Sequence, residues 1–146
     1  MSLIGYALRM AKQYYKPKTY EHALRVAEYV SENPMIQDDK MDDCIALAIM
    51  HDLIEDTEYA HKAKNDLYNP ESRITNNKYF YNCLHFLTKE PEDNYIKYIK
   101  KIKEASKSMP EVYWVKIADM KDHLSQTETL TDKLKDKYLT ALPYLL

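Results

Sequence analysis

Adjacent His51 and Asp52 end the most apolar stretch of the chain, and Glu55 and Asp56 follow them closely. If a helix continued through these positions, each acidic residue would share a face with the residue four positions before it. Burying such groups is costly unless they are paired or bound to a cation. An exposed acidic helix end capped by His51 is the alternative, but acids at a helix C-terminus oppose the helix dipole. The cluster therefore favours a metal site.

Asp119 and His22 are two further residues that could contribute to such a site. Asp119 lies in VKIADMKDHL, a helix that the sequence predicts to be mostly buried, so its carboxylate needs a partner. Lys116 or a helix cap could be that partner instead of a metal ion. His22 lies about one turn into a predicted helix, where a lone histidine near an apolar face is more often structural than a ligand. Neither residue alone indicates a metal site.

The order of these residues along the chain is more informative than any of them alone. The pattern H...HD...D is formed by His22, His51, Asp52 and Asp119. In this pattern the chain resembles the HD-domain metal-dependent phosphohydrolases. The segment HDLIEDT at 51–57 is similar to the HD motif and the following acidic pair of the RelA/SpoT-type hydrolase domain. An HD pair alone would be a weak signal, whereas the combination is specific.

The similarity to this group extends to three further segments. VKIADMKDHL at 115–124 resembles its VKLAD motif. FLTKEPEDNYIKYIKKI at 86–102 resembles a part that begins with Leu-Thr-Lys and continues into a Tyr-rich helix, and KYLTALPYL at 137–145 resembles the closing helix. The resemblance spans nearly the whole chain, and it implies an all-α, single-domain HD fold over residues 1–146.

The resemblance also implies which residues carry the chemistry. Glu55 and Asp56 would orient or deprotonate the attacking water and assist proton transfer. One divalent ion, for which Mn²⁺ is the usual suggestion in this family, would be held by His22, His51, Asp52 and Asp119. Two imidazoles and two carboxylates also suit Fe, Co or Zn. Such an ion lowers the pKa of a bound water and polarises a phosphoryl oxygen, which is sufficient for hydrolysis.

The positions that would bind substrate depart from the family pattern. RelA/SpoT-type hydrolases usually carry an Arg-Lys pair before the first His, whereas this chain offers Lys12, Lys16 and Lys18 there. The family commonly has Asn four residues after the second Asp, and this chain has His123. Because His123 shares a helical face with Asp119, we expect it to point toward the site. It could bind substrate, act as an acid or add a ligand, and a rim histidine without a role is the alternative.

Lysines in the segment after residue 86 are further candidates for phosphate binding. Lys89 is the best of them, because the resemblance places the Leu-Thr-Lys segment beside the active site. A run of lysines on the next predicted helix could attract a polyphosphate, but such a run is usually a solvated face. Its members are Lys97, Lys100, Lys101 and Lys103.

The resemblance implies a nucleotide hydrolase, and guanosine 3′,5′-bis(diphosphate) 3′-pyrophosphohydrolase is the first activity to expect. No accompanying synthetase is expected. Another nucleotide, including a nicotinamide dinucleotide 2′-phosphate, remains an alternative substrate. A catalytically inactive, nucleotide-sensing HD module is the alternative from a different class, and a helical protein with purely structural His and Asp residues is a third.

Composition restricts the other functions that the chain could have. The 21 Lys and Arg against 23 Asp and Glu give a net charge of −2, so no overall field favours nucleic acid or anionic lipid. No apolar run reaches about 18 residues, and the N-terminus lacks a leader pattern, so we expect a cytoplasmic protein. The single Gly disfavours P-loop, Rossmann and hairpin folds. Isolated Cys44 and Cys83 are expected to be free buried thiols, and homo-oligomerisation remains open.

Helices must position these residues, because apolar residues recur at intervals of three and four along most of the chain. A helix beginning after Pro17, with Thr19 as its N-cap, should end at Asn33 and Pro34. The next should be the central buried helix, since it is apolar on nearly all sides. A polar stretch covers 58–72. This central helix is predicted over 39–51, and the other predicted helices cover 2–15, 73–88, 92–107, 110–125 and 130–142.

Overall fold

The computed structural model describes residues 2–55 and 78–146, and all the regular secondary structure in these ranges is helical. The all-α prediction is therefore confirmed. The helices, in chain order, are α1 Leu3–Tyr14, α2 Pro17–Ser31, α3 Asp38–Met50, α4 Lys78–Phe86, α5 Tyr95–Ala105, α6 Pro110–Ser125 and α7 Asp132–Leu145.

Side-chain caps fix where three of these helices begin. The Ser2 hydroxyl accepts a hydrogen bond from the backbone N of Gly5 at 3.0 Å. Asn94 caps α5 in the same way at 2.8 Å, and Thr131 caps α7 at 3.2 Å. Each cap satisfies one of the backbone donors that the first turn of a helix leaves unpaired.

Proline instead of a side-chain cap starts the helix that carries His22. Pro17 occupies the first turn of α2 after Lys16, which makes no side-chain cap. Proline suits this position because its missing N–H would have had no partner within the helix. The predicted N-cap at Thr19 was therefore wrong, since Thr19 already lies inside the helix.

The largest difference from the predicted elements is at the end of α3. This helix ends at Met50, with His51 as its C-cap, and residues 51–55 form turns. Helices α4 and α5 are shorter than predicted within the described residues, and α7 runs past Pro143 to Leu145. The polar stretch at 58–72 lies outside the described residues.

Helices α3 and α6 form the centre of the fold. The stretch 46–50 of α3 is entirely buried, which confirms the prediction of a central helix. Helix α3 packs against α1, α2, α4 and α6, and α6 also packs against α4, α5 and α7. The described apolar side chains form one core cluster around these two helices.

Two further predictions can be compared with the fold. Cys44 and Cys83 are both free and buried, as expected from their isolated positions. None of the described helices has the length and apolar character needed to cross a membrane.

Candidate metal centre

Three elements bring the four predicted ligands together. His22 comes from α2, Asp119 from α6, and His51 and Asp52 from the turn that directly follows α3. One candidate ligand atom from each residue lies within 4.8 Å of the other three. This group could hold a metal ion.

The ligand atoms converge on one oxygen of Asp119. The Nε2 atoms of His22 and His51 lie 2.8 and 3.0 Å from Asp119 Oδ1. Asp52 Oδ2 completes the group, at 3.5 Å from His22 Nε2 and 3.1 Å from His51 Nε2. His51 and Asp119 are each only 2 % exposed, so solvent screens the electrostatic interactions within the group only weakly.

Hydrogen bonds on the far side of each imidazole select the nitrogen that faces the site. His22 Nδ1 donates to Asp122 Oδ2 at 2.6 Å, and His51 Nδ1 donates to the Ala48 carbonyl at 2.5 Å. With the proton on Nδ1, Nε2 of a neutral imidazole carries a lone pair. In the neutral form, both lone pairs would face the carboxylates of Asp52 and Asp119. A cation between them is the arrangement that such outer hydrogen bonds support in metal sites.

The electrostatics of the group also fit a bound cation. Burial opposes protonation of His51, but the Asp52 and Asp119 carboxylates outweigh it and raise the pKa of His51 well above its usual value. The pKa of His22 is raised against the same opposing effect of burial, chiefly by Asp119. The carboxylates therefore favour positive charge at the imidazoles. A divalent ion held by two imidazole nitrogens and two carboxylate oxygens could supply it.

Lys116 contacts the second oxygen of Asp119. Its ammonium lies 2.8 Å from Asp119 Oδ2 and is buried against the rings of Tyr95 and Tyr98. Burial would raise the pKa of Asp119, but this lysine, together with the surrounding imidazoles, holds it well below the usual value. The sequence offered Lys116 as an alternative to a metal partner. In the structure, Asp119 Oδ2 contacts the lysine and Oδ1 faces the imidazoles, so the carboxylate could serve both partners.

Asp122 and Arg25 are site residues that the sequence analysis missed. Asp122 is fully buried, and the guanidinium of Arg25 binds both its oxygens, from Nε at 2.8 Å and from the terminal nitrogen at 3.1 Å. Arg25 therefore holds in place the Asp122 carboxylate that orients the His22 ring. The available signal was spacing, since Asp122 lies three residues after Asp119 and Arg25 three after His22, on the same helical faces.

His123 points toward the site, as its spacing from Asp119 predicted. Its Nε2 lies 3.2 Å from Asp119 Oδ1, and its side chain is 38 % exposed. The ring stacks on His22 at a centroid distance of 4.4 Å and on Tyr138 at 5.0 Å. His123 therefore forms part of the rim, where it could meet a bound molecule.

The two residues predicted to be catalytic are placed differently from the expectation of a continuing helix. Because α3 ends at Met50, Glu55 does not stack above His51 on a helical face. Its carboxylate instead accepts a hydrogen bond from the backbone N of Lys89 at 2.9 Å. Asp56 lies outside the described residues.

Neither of the two lysines predicted to bind phosphate contacts the His and Asp group in the described structure. The Lys89 ammonium donates to the carbonyls of Glu90 at 3.1 Å and Asp93 at 2.8 Å, which holds it inside its own turn. Lys18 is exposed on α2, one turn before His22.

Lysines of α5 lie on a largely exposed face, where two of them share one carboxylate. Lys97 and Lys101 both bind Asp93, which is 4 % exposed, whereas Lys100 lies over the Tyr144 ring at 4.7 Å. The charge run thus behaves mainly as the sequence analysis predicted.

No protein-family model matches this chain, and no curated protein matches it. The motif resemblance and the geometry of the site therefore carry the functional argument.

Proposed function

We propose that the protein is a metal-dependent phosphohydrolase that acts on nucleotides. The observation that carries this proposal is the convergence of two imidazole Nε2 atoms on the carboxylates of Asp52 and Asp119, with both Nδ1 atoms already used as donors. A structural histidine cluster needs no such common orientation. A metal site does, because each imidazole must present a lone pair to the same point.

A first-row divalent ion is the cofactor that this ligand set fits, and Mn²⁺ is the ion we propose. Four protein ligands with mixed nitrogen and oxygen donors leave positions open in an octahedral site. When bound, such an ion would supply a water of lowered pKa and a Lewis acid for the phosphoryl oxygen.

The chain's own residues would orient the ligands and the substrate. Asp122 fixes the His22 ring, and Lys116 fixes the Asp119 carboxylate, so neither ligand needs to reorganise during a reaction. We assign Glu55 to the attacking water as a general base. The Lys89 N–H holds its Oε2, which leaves Oε1 as the atom for that role. Asp56 would assist the same proton transfer.

Guanosine 3′,5′-bis(diphosphate) is the first substrate that we propose, with release of pyrophosphate from the 3′ position. The support is the joint resemblance of the HDLIEDT and VKIADMKDHL segments to the RelA/SpoT-type hydrolases. Lys89 and Lys18 would contribute positive charge beside the phosphates.

A second nucleotide substrate, such as a nicotinamide dinucleotide 2′-phosphate, is favoured by one specific observation. His123 replaces the asparagine of the family pattern and lies at the rim, 3.2 Å from Asp119 Oδ1. An imidazole at this position would present a different hydrogen-bonding group to the ribose and phosphates of the substrate than an asparagine does. It would leave the metal ligands unchanged but alter which nucleotide is bound.

The experiment is to measure phosphate and pyrophosphate release from a nucleotide panel, first with Mn²⁺ and then with a chelator. The panel includes guanosine 3′,5′-bis(diphosphate) and nicotinamide adenine dinucleotide phosphate. Pyrophosphate from the guanosine compound, lost on chelation, supports the first substrate, and phosphate from another nucleotide supports the second. Metal binding without turnover on any nucleotide would contradict the hydrolase and favour a sensing module.

A further inference from the structure

A groove of about 270 Å³ lies between the C-terminal end of α2 and the helix α6. Two aromatic side chains line it, Tyr29 and Trp114, and Ile117 lies next to them one turn further along α6. All three pack against the core but are only partly buried. We call this surface the Trp114 groove. It is separate from the metal centre, because none of the predicted ligands lines it.

Met35 projects from the turn beside this groove. At 74 % exposure, it is the most exposed large apolar side chain among the described residues. Its backbone N donates a hydrogen bond to the Asn33 side chain at 2.9 Å, and the next residue, Ile36, is buried in the core. Because the backbone is held on both sides of Met35, this apolar side chain is presented to solvent at a defined place.

Met35 and the Trp114 groove are immediate neighbours, since Asn33 and Pro34 line the groove. Met35 itself does not line it, so it does not fill the groove of its own chain. In a two-fold dimer the same patch faces itself. A two-fold axis that passes between Met35 and the groove would let each Met35 enter the groove of the other copy. Methionine suits such a groove, because its side chain is flexible and its sulfur contacts aromatic rings favourably.

The charges of the groove are also complementary to a second copy. Lys121 and Glu32 both line it, and both are exposed. Neither forms an ion pair with another described residue, and the Lys121 ammonium lies over the Tyr29 ring at 4.6 Å. One positive and one negative group in each copy allow reciprocal ion pairs across a two-fold axis, whereas a groove of a single sign would repel its copy.

The composition of the patch fits a protein partner better than a small ligand. Tryptophan, tyrosine and methionine are the residues that protein interfaces favour at their centre, with polar groups at the rim. Small-molecule sites instead have polar groups that converge inside a largely enclosed cavity. In the Trp114 groove, the charged residues Glu32 and Lys121 are exposed, which is the arrangement of a rim.

We propose that Met35 and the Trp114 groove form the interface of a two-fold symmetric dimer of this chain. Met35 of each copy inserts between Tyr29 and Trp114 of the other, and Lys121 of each copy pairs with Glu32 of the other. The dimer does not depend on the proposed hydrolase activity, because no predicted ligand or catalytic residue lies in this interface.

The test is sedimentation equilibrium of the full chain over a range of concentrations. Wild-type protein should show a reversible equilibrium between monomer and dimer. Met35→Glu should raise the Kd of the dimer at least about tenfold, because it places an unpaired charge against an aromatic groove. Met35→Leu should stay close to wild type, since it keeps an apolar side chain of similar volume. Leu24→Glu is the matched control, at another exposed apolar position that lies outside the groove, and should dimerise as wild type does.

Charge reversal tests the two-fold arrangement separately. Glu32→Lys and Lys121→Glu should each weaken self-association, because like charges then meet across the axis. The double variant should regain it. An equimolar mixture of the two single variants should also dimerise, since opposite charges again meet at both pairs. A two-fold interface that joins these two positions predicts this recovery, whereas a general effect of net charge does not.

Circular dichroism equal to that of wild type shows that each variant is folded. A wild-type chain that stays monomeric at every concentration would overturn the dimer. A Kd unchanged in Met35→Glu, or raised equally in Leu24→Glu, would also overturn this interface. Single charge variants that fail to associate when mixed would overturn the pairing of Lys121 with Glu32. Neither metal content nor turnover enters these measurements, so the dimer and the hydrolase can fail independently.

Discussion

His22 and Asp122 lie 100 residues apart in the chain and are joined by a hydrogen bond of 2.6 Å between Nδ1 and Oδ2. Arg25 binds the same carboxylate from the helix that carries His22. This arrangement ties α2 to α6 and sets the direction of the His22 ring. Because Nδ1 is used as a donor, Nε2 is the nitrogen that faces Asp119 and Asp52.

Removing the Asp122 carboxylate should weaken metal binding although no ligand is lost. We expect Asp122→Asn to lower the affinity for Mn²⁺ by about 10- to 100-fold, the usual effect of losing an outer hydrogen-bond partner of a ligating histidine. Competition with a metallochromic indicator measures this affinity. Asp42→Asn, at an exposed position of α3, is the control and should bind as wild type does. Unchanged affinity in Asp122→Asn would show that Asp122 has only a structural role.

Lys116 should matter for stability, because it is the buried partner of a buried carboxylate. Lys116→Met leaves Asp119 Oδ2 without its ammonium, and breaking a buried ion pair in this way costs about 3–5 kcal/mol of unfolding free energy. Urea unfolding of metal-free protein measures the loss. Lys107→Met removes the exposed pair with Glu104 and should change stability little. Equal effects of the two substitutions would contradict the importance of the buried pair.

Glu55 and Asp52 should be separable by their effects on metal and turnover. Asp52→Ala removes a ligand, so both metal binding and turnover should be lost. In Glu55→Gln, the amide oxygen can still accept the Lys89 N–H, but the base is gone. We expect metal to be retained and kcat to fall by at least about 100-fold. Equal metal loss in both variants, measured by elemental content, would remove the assigned role of Glu55.

The two cysteines should be inert in the folded protein. Burial raises the pKa of Cys44 and of Cys83 to about 12, so the thiolate that reacts with disulfide reagents is scarce at pH 8. Labelling of native protein with an aromatic disulfide reagent should be slow, and urea should make both thiols react quickly. Fast labelling of the native chain at this pH would show that one thiol is exposed.

The structure brings together the four residues that the sequence predicted as ligands, which were recognised through a resemblance that spans the chain from His22 to Asp119. Other features followed from local, periodic patterns. Asp119 and His123 are four residues apart on one helix, so their common direction followed from helical geometry alone. The buried run before His51 likewise predicted a central helix, which the packing of α3 confirms. In each case, the information lay within a few residues of the position concerned.

Features that depend on contacts between distant segments were not predicted. The end of α3 at Met50 and the hydrogen bond from Lys89 N to Glu55 depend on how the turn at 51–55 packs against the segment after α4. The bond between His22 and Asp122 needs α2 and α6 to be adjacent. The groove lined by Lys97, Lys100 and Lys137 needs α5 and α7 to be adjacent. The spacing of residues within one helix does not indicate which other helices pack against it.

The metal content of purified protein tests the central claim most directly. Elemental analysis of the full chain after incubation with Mn²⁺ and removal of free ions should show about one ion per chain, and thermal unfolding should shift upward with the ion bound. His51→Ala should lose both the ion and the shift. A wild-type chain that retains no divalent transition metal, and whose unfolding is unchanged by a chelator, would contradict a metal centre at His22, His51, Asp52 and Asp119.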